Sequence, residues 1–445
     1  MELYNKKFLV AGLGMSGAAA ARFLKNRGAS VTVTDTAEEQ NLRVYAPMMR
    51  EMGISLELGQ HRIETFEDAD AIVLSPGVPH FIAPVKAAIA KGIPVIGEIE
   101  LAFRFIAEPI VAVTGTNGKT TVTTLLGKML ENSGFKVFVG GNIGNPLIAY
   151  VDRGDKADRI VLEISSFQLD TIDTFRPRVG VLLNITDDHL DRYPDFMAYA
   201  KSKARIFENQ TEDDVAVLNM ADPAVREVTQ HIRSRKTGFG VRGSGFGENF
   251  PSPLTSDLGP LTSHLLIGRH NEDNVSAACL AAISAGATKE GIQSALDNFK
   301  GLPHRIEYVA EIAGVRYFDD SKGTNTDAVI KALECFDFPV ILIMGGRGKG
   351  GAEGNGFHVL KESVCRKVKH LIVMGETKEE LKAVLGKSVF TTTADSMEDA
   401  VYQAHRAAVS GDTVLLSPAC SSFDMYRSYA ERGQRFCEAV REIKK

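Results

Sequence analysis

The residues best suited to chemistry lie in the segment IVAVTGTNGKTT, at positions 110 to 121. An apolar β-branched run breaks into a glycine-rich turn, and a helix-compatible stretch follows. Such a turn directs backbone N–H groups and a helix N-terminus at a phosphate chain. Lys119 would supply a positive charge and the Thr120 hydroxyl a magnesium ligand. The segment predicts ATP binding, although Val113 stands where G-x-x-x-x-G-K-[ST] has its first glycine.

A second glycine-rich turn, GLGMSG, follows the first predicted strand, KFLVA. An alanine-rich helix to about Arg27 and a strand ending at Asp35 complete the pattern of a nucleotide-binding βαβ unit. Asp35 is placed to accept hydrogen bonds from a sugar or a base. Taken alone, the unit favours a dinucleotide such as NAD. Another nucleotide diphosphate, or a tight turn with a surface Asp, remains an alternative.

Further strand ends carry polar groups. The strand AIVLS ends at Ser75-Pro76-Gly77, which is either a ligand loop or a simple turn. The runs IVLEISSFQL and VGVLLNITDDHLDRY place Glu163 and His189 at strand ends, where magnesium and a γ-phosphate would lie. A buried Glu is costly unless a cation or donor pairs with it. Solvation or helix capping is the alternative for such isolated groups.

Two helices carry candidate side chains. The segment 195–210 predicts an amphipathic helix with Lys201 and Lys203, both expected to face solvent. A helix beginning at 269 has Asn271 and Asn274 in its first turns, where they cap the helix or contact an adenine. Residues 236–268 suggest loops or hairpins.

The C-terminal part alternates strands and helices again, which predicts a doubly wound α/β domain. A hinge is predicted at residues 301–305. Polar loops at 319–325, 345–349 and 417–423 follow three of the predicted strands. Gathered at one sheet edge, they would suit a small anionic substrate; solvated loops are the alternative.

The bulk composition sets limits. A chain of 445 residues with 41 Gly predicts two to four α/β domains, and the net charge of −5 argues against a nucleic-acid partner. No signal peptide or membrane span is expected, and the five Cys lack metal or disulfide spacing, which favours reduced thiols in the cytoplasm.

Taken together, the motifs GTNGKT, EISSFQL, NITDDHLDRY, RHNEDN, PHR, DDSKGTN and SPACSSFD occur in an order that resembles the Mur ligase family. GLGMSG, SPGVP, GGNIG and ERG are similar to the branch that adds D-glutamate to UDP-N-acetylmuramoyl-L-alanine. The resemblance implies an ATP-dependent amide ligase of peptidoglycan precursor synthesis, cytoplasmic and monomeric. It also implies three domains: a UDP-binding Rossmann-like domain (1–97), a central P-loop ATPase-like domain (98–301) and a C-terminal, Rossmann-like amino-acid-binding domain (302–445).

The resemblance also implies roles for individual residues. The ATP-binding set would be Gly115, Thr116, Asn117, Gly118, Lys119, Thr120, Thr121, Asn271, Asn274, Arg305, Asp320 and Lys322. The UDP substrate would contact Gly14, Met15, Ser16, Asp35, Thr36, Ser75, Pro76, Gly77, Asn142, Ser165 and His189. D-glutamate would contact Thr324, Lys349, Ser422, Phe423 and Tyr429.

Cofactors follow from the same resemblance. Two Mg²⁺ ions are expected, with Thr120, Glu163, His189 and Lys203 around them. Lys203 matches a lysine that CO₂ converts to a carbamate, since an ammonium cannot ligate a cation whereas a carbamate oxygen can. The catalytic set is then Lys119, Glu163, His189 and Lys203.

Three alternatives stay open at this point. The first is another Mur-type or folylpolyglutamate-type amide ligase with a different acceptor. The second is a nicotinamide-dependent oxidoreductase built on the first domain, which leaves the GTNGKT, EISSFQL and NITDDHLDRY motifs unexplained. The third is a nucleotide-binding regulator that hydrolyses ATP slowly.

Overall fold

The computed structural model describes residues 1–188, 192–240, 269–299, 301–336, 339–348 and 355–443. His189, Lys349 and most of the segment 236–268 therefore lie outside the described residues. Backbone contacts divide the chain into two compact units. One unit contains residues 1–185, 195–261 and 275–296, and the other contains 186–194, 262–274 and 297–445. The two boundaries between the three predicted domains stay a prediction.

The first sheet is parallel, with the strand order β3-β2-β1-β4-β5. Its strands are β1 (Lys7–Ala11), β2 (Ser30–Asp35), β3 (Ser55–Leu58), β4 (Ala71–Leu74) and β5 (Val95–Gly97). The helices between them are α1 (Met15–Asn26), α2 (Ala46–Glu51), α3 (Ile63–Glu67) and α4 (Ala83–Ala90), with a 3₁₀ turn at Glu39–Asn41. The strand order reverses beside β1, so the loops after β1 and β4 lie at the switch point, where open α/β sheets bind ligands.

The central sheet is also parallel, in the order β11-β10-β9-β6-β8-β7. Its strands are β6 (Ile110–Thr114), β7 (Val137–Gly141), β8 (Arg159–Glu163), β9 (Val179–Leu182), β10 (Val215–Asn219) and β11 (Arg235–Phe239). The associated helices are α5 (Glu98–Phe103), α6 (Lys119–Asn132), α7 (Leu147–Arg153), α8 (Ser166–Leu169), α9 (Phe196–Ala204), α10 (Pro223–Val228), α11 (Arg269–Ser284) and α12 (Lys289–Asn298), with a 3₁₀ turn at Arg205–Phe207.

The C-terminal sheet has the order β12-β13-β17-β14-β15-β16, and β12 alone among these pairs runs antiparallel. Its strands are β12 (Glu307–Ile312), β13 (Val315–Asp319), β14 (Val340–Gly345), β15 (Val368–Met374), β16 (Thr391–Thr393) and β17 (Thr413–Leu416). The helices are α13 (Thr326–Glu334), α14 (Lys361–Lys367), α15 (Lys378–Leu385), α16 (Met397–Ala407) and α17 (Tyr429–Ile443), with a 3₁₀ turn at Phe357–Leu360.

The C-terminal sheet is buried on both faces, as the predicted doubly wound domain requires. Along β14, Ile341 and Ile343 face a core that includes residues of α16 and α17. Leu342 and Met344 face a second core, on the side of α13 to α15. Because strand side chains alternate between faces, a continuous apolar run is needed to satisfy both cores.

The sequence-based assignments of several elements need correction. Residues 236–239 belong to the edge strand β11 instead of a hairpin or loop. The helix predicted over 195–210 ends at Ala204 and continues only as a 3₁₀ turn. The short strands β3 and β16 and the antiparallel β12 escaped prediction because their residues are only partly buried and show little apolar periodicity. Among the described helices, none combines the length and apolar character needed to cross a membrane.

The helix α5 anchors the loop that precedes β9 through the carboxylate of Glu100. One Glu100 oxygen accepts the backbone N–H groups of Asp173, Thr174 and Phe175 at 2.9–3.0 Å. The other accepts the Thr174 hydroxyl at 2.7 Å and pairs with Arg104 at 2.9 Å. Burial by itself would raise the pKa of Glu100, but these donors outweigh it and lower that pKa.

We predict that Glu100→Gln lowers the free energy of unfolding by about 2–4 kcal/mol, because a buried set of donors loses its charged acceptor. Urea unfolding measured at pH 7 checks the value. The pKa of Glu100 is lower in the folded chain, so its contribution is complete above the ordinary value of 4.5 and is lost as pH falls below it. The difference between wild type and variant should therefore shrink in acid.

The matched control for this prediction is Glu39→Gln, which removes an ion pair with Arg50 whose side chains are both more than half exposed. A change below about 1 kcal/mol is expected there. Equal effects of the two substitutions would contradict the anchoring role of Glu100.

Candidate functional site

The glycine-rich turn after β1 is held by side chains from two neighbouring strand ends. Gly12 adopts φ +94°, and a Cβ there would lie 2.8 Å from the Cβ of Ser75. The Ser75 hydroxyl donates to the Gly12 carbonyl at 2.9 Å. Asp35 accepts the backbone N–H of Leu13 at 2.6 Å with one oxygen and that of Ala37 at 2.8 Å with the other. Asp35 thus shapes the turn; its remaining lone pairs still allow a ligand contact.

The other residues predicted for the UDP substrate surround this turn. Gly14 precedes α1 as its N-cap, and Met15 is half exposed at the first position of the helix. Thr36 and Gly77 are exposed, whereas Pro76 and Ser16 are partly buried. The structure therefore brings the predicted residues of the first sheet to one edge, and the exposed ones are accessible to a ligand.

The turn after β6, residues 115–118, leads directly into α6; we call it the phosphate-binding turn after the role predicted for it. Gly118 adopts φ +86° as the N-cap of α6, and Lys119, Thr120 and Thr121 form the first turn of that helix. The Lys119 ammonium donates to the backbone oxygens of Gly115 at 2.9 Å and Thr116 at 2.8 Å, so it folds back over the turn. A helix N-terminus with a lysine beside it favours an anion.

A residue that sequence reasoning missed fixes this turn. Asn184, just beyond β9, accepts the backbone N–H of Asn117 at 2.8 Å and donates to its carbonyl at 3.0 Å. Its own carbonyl accepts the N–H of Thr116 at 2.9 Å. The first polar residue after an apolar strand was the available signal, because β9 pairs directly with β6.

Glu163 lies at the end of β8 and is 2% exposed. One carboxylate oxygen accepts the side-chain N–H of Asn142 at 2.8 Å, and the Glu163 backbone oxygen accepts the Asn142 N–H at 2.8 Å. The second carboxylate oxygen is buried and has no hydrogen-bond partner among the described residues. A hard cation such as Mg²⁺ fits this oxygen, since burying an unpaired carboxylate oxygen is costly. Ser165 caps α8 in a capping box with Gln168.

Lys203 contradicts the expectation that both lysines of its helix face solvent. It is 1% exposed, whereas Lys201 is exposed. The Lys203 ammonium donates to the Gly115 carbonyl at 2.9 Å and lies 4.5 Å from the centre of the Tyr199 ring. Tyr199 in turn bonds Thr116 through the two hydroxyls at 3.2 Å. The structure therefore brings Lys203 and Lys119 to the same carbonyl of the phosphate-binding turn.

In the C-terminal sheet, Asp320 follows β13 and is 7% exposed. Burial raises the pKa of Asp320 to about 7, although the Ser417 hydroxyl at 2.7 Å and the charge of Arg305 act in the opposite direction. The Lys322 ammonium lies 3.8 Å from the centre of the Tyr429 ring. Asp320, Lys322 and Tyr429 are thus gathered at this sheet edge.

Arg432 of α17 holds the loops of this edge and was not among the predicted site residues. It is 2% exposed and donates to the Ser321 hydroxyl and carbonyl at 2.9 Å and to the Cys420 carbonyl at 3.1 Å. Burial lowers its pKa to about 10. Arg432 lies one helical turn after Tyr429, and nothing in the sequence at that position indicates that its side chain is buried.

The remaining predicted residues are placed as follows. Ser422 is buried, Phe423 is 64% exposed and Thr324 is partly buried. The Asn274 amide donates to the Asn271 side-chain oxygen at 3.2 Å in the first turns of α11. The five cysteines are free thiols, and Cys365 is exposed. Cys420, beside the predicted substrate loop, is buried, and burial raises its pKa to about 11, so it is not an activated nucleophile.

Comparison with known proteins places this geometry in a family. Residues 6–97 match the model of the Mur ligase MurD-like N-terminal domain, 113–282 the Mur ligase middle domain, and 304–420 the Mur ligase glutamate ligase domain. The chain is 53% identical to a UDP-N-acetylmuramoylalanine–D-glutamate ligase of Desulfosudis oleivorans. This alignment covers all of this chain and 98% of that one. The chain belongs to the Mur ligase family. A Mur ligase of the same description from Desulfatibacillum aliphaticivorans is 50% identical, with both chains fully covered.

Solved structures agree with the Mur ligase fold. The chain is similar to the MurF ligase of Thermotoga maritima in complex with ADP, with a TM-score of 0.62 and 18% identity over 99% of this chain and 95% of that one. A pseudomurein peptide ligase type C from Methanothermus fervidus gives a TM-score of 0.60 and 22% identity, over 99% and 100% of the two chains. At these identities the similarity concerns the fold alone.

We predict that Asn184→Ala weakens ATP binding on the order of tenfold, because the phosphate-binding turn loses two hydrogen bonds that hold it in place. Isothermal titration with ATP and Mg²⁺ measures the change.

Asn209→Ala serves as the control for Asn184→Ala. Asn209 donates to the carbonyls of Asp173 and Phe175, so its loss also removes two backbone contacts, but in the loop before β9. The affinity of the Asn209→Ala variant for ATP should stay at the wild-type value. An unchanged affinity in Asn184→Ala would contradict the role given to Asn184.

Proposed function

We propose that this Mur ligase joins D-glutamate to UDP-N-acetylmuramoyl-L-alanine, with ATP converted to ADP and phosphate. The full-length relatives described as UDP-N-acetylmuramoylalanine–D-glutamate ligases support this choice of substrates. The observation that carries the reaction type is the buried Glu163 beside the phosphate-binding turn. Its second carboxylate oxygen, which has no hydrogen-bond partner in the part of the chain that the structure describes, would provide a cation ligand where a γ-phosphate would lie.

The chemistry requires activation of a carboxylate, which is a poor electrophile. An oxygen of the alanyl carboxylate attacks the γ-phosphorus of ATP, and ADP leaves, which gives an acyl phosphate. The amine of D-glutamate then attacks the acyl carbon, loses a proton, and phosphate leaves as the amide forms. Two anions meet in the first step, so positioning and charge neutralisation are the main contributions required of the protein.

The central residues suit this task. Lys119 and the backbone N–H groups at the start of α6 would hold the β- and γ-phosphates, with residues 115–121 forming the turn around them. Thr120, Glu163, His189 and the carbamate of Lys203 would hold two Mg²⁺ ions, which neutralise charge on the phosphates and the carboxylate. Asn142, oriented by Glu163, would contact the muramoyl-alanine part, together with Ser165.

The remaining proposed contacts follow the three predicted domains, 1–97, 98–301 and 302–445. UDP would lie at the edge formed by Gly14–Ser16, Asp35–Thr36 and Ser75–Gly77. Asn271 and Asn274 would contact adenine, and Arg305, Asp320 and Lys322 the phosphates of ATP. Thr324, Lys349, Ser422, Phe423 and Tyr429 would bind the carboxylates of D-glutamate, and the enzyme would act as a monomer.

We predict that phosphate release from ATP and Mg²⁺ requires both UDP-N-acetylmuramoyl-L-alanine and D-glutamate. A coupled phosphate assay with each substrate omitted in turn, and with a panel of other amino acids, measures this dependence. Release with another amino acid would keep the mechanism and change the substrate. Phosphate release by folded protein supplied with bicarbonate that depends on neither UDP-N-acetylmuramoyl-L-alanine nor an amino acid would contradict the proposal.

We predict that Lys203→Ala loses most of the activity, because its carbamate would ligate a cation, and that short carboxylic acids restore part of it. The same phosphate assay with added acetate or formate measures the rescue. Lys201→Ala, two residues away on the exposed face of α9, should keep full activity. Full activity in Lys203→Ala without added acid would rule out the carbamate.

A further inference from the structure

Glu98 begins α5, directly after the edge strand β5 of the first sheet. It is 2% exposed, and its Oε1 accepts the backbone N–H of Ile148 at 2.6 Å, with a further hydrogen bond from the N–H of Leu147. Both donors lie in the first turn of α7. Glu98 therefore provides the carboxylate cap that α7 lacks in its own sequence, where Pro146 is the N-cap residue.

The helix α7 follows the loop that carries Asn142, and the two ends of this loop are held by different carboxylates. At the first end, Glu163 accepts the side chain of Asn142. Inside the loop, the N–H of Gly141 donates to the Asn145 carbonyl at 3.1 Å. At the far end, where the loop enters α7, the hydrogen bonds to Glu98 fix the chain. The loop that carries Asn142 is thus held by one carboxylate at each end.

The other end of α7 is also attached to the first sheet's layer of helices. Asp152 is 8% exposed in its side chain and pairs with Arg22 at 2.9 Å and with Arg27 at 3.4 Å. Arg22 belongs to α1, the helix that begins at the glycine-rich turn proposed to bind the UDP diphosphate. Through Glu98 and Asp152, α7 is therefore bound at both of its ends to the helices that follow β5 and β1.

The buried position of Glu98 disfavours the charged form of its carboxyl group. Burial raises the pKa of Glu98 to about 7, and the N–H groups of Ile148 and Leu147 only partly offset this. The second oxygen, Oε2, is buried and has no hydrogen-bond partner among the described residues. Burying a carboxylate of this kind costs free energy of folding. The contact with α7 is what the buried side chain provides in return.

We infer that Glu98 is a positioning residue for substrate selection: it sets the Asn142 loop at the distance from the UDP-binding edge that matches the N-acetylmuramoyl-alanine part of the substrate. The inference rests on the proposed function. UDP alone would contact only the edge of the first sheet. The complete precursor would in addition reach Asn142, so only its binding depends on where α7 holds the loop.

The test compares the dissociation constants of UDP and of UDP-N-acetylmuramoyl-L-alanine in wild type and Glu98→Gln, by isothermal titration. At about pH 8, where Glu98 is mostly ionised, binding of the precursor is expected to weaken on the order of tenfold, since a charged acceptor is replaced by a neutral one, while the affinity for UDP stays unchanged. The KM for the precursor should rise in parallel, with the KM for ATP unaffected.

Two further variants separate positioning from general loss of structure. Glu100→Gln removes another buried carboxylate of α5, but one that binds residues 173–175, and should leave the ratio of the two affinities as in wild type. In an Asn142→Ala background, Glu98→Gln should have no additional effect, since both act through the same contact. Should Glu98→Gln not fold, Glu98→Asp, which keeps the charge but is shorter, takes its place.

The outcomes are distinct. An unchanged precursor affinity in the Glu98 variant, equal weakening of UDP and precursor, or effects that add to those of Asn142→Ala would each overturn the inference. Failure of the wild-type protein to bind the precursor more tightly than UDP would instead count against the proposed substrate, independently of Glu98.

Discussion

The buried carboxylate of Glu163 is the constraint around which the central sheet's polar edge is arranged. One oxygen of this carboxylate, at the end of a strand paired with β6, has no hydrogen-bond donor within the described part of the chain, and a cation fits beside it. The other oxygen cannot turn away, because it is bound to Asn142. Two lysines donate to the carbonyl of Gly115 in the same region. A site of this kind has concentrated charge in place before any substrate enters, so little reorganisation is left for the reaction.

A second theme is the use of polar side chains from neighbouring elements to hold backbone loops. Asp35 holds the turn after β1, Asn184 the turn after β6, and Arg432 the loops after β13 and β17. In each case the side chain binds backbone N–H or carbonyl groups of the loop. These groups are present whichever side chains the loop carries. The loops proposed to contact substrate are thereby held by side chains of neighbouring elements, which is how a precise site is built on irregular backbone.

The sequence predicted the parts of the fold that depend on local pattern. The strand over residues 7–11, the strand ending at Asp35 and the turn before Lys119 are confirmed, since apolar runs and glycines encode them directly. The burial of Lys203 was not predictable from its helix, because it depends on packing of α9 against a turn 88 residues away in the chain. The same holds for the hydrogen bond from Leu13 to Asp35, which lie 22 residues apart, and for Cys420, whose burial removes the reactivity that its neighbourhood suggested.

The two carboxylates of α5 also bear on how the chain folds during synthesis. The first sheet is complete at Gly97, yet the groups that bind Glu100 lie up to 75 residues further along. At about 5–20 residues per second, a ribosome needs several seconds or more to deliver them. Throughout that delay water must solvate the Glu100 carboxylate. The N-terminal sheet can therefore form early, while the contacts of Glu100 have to wait for translation to pass residue 175.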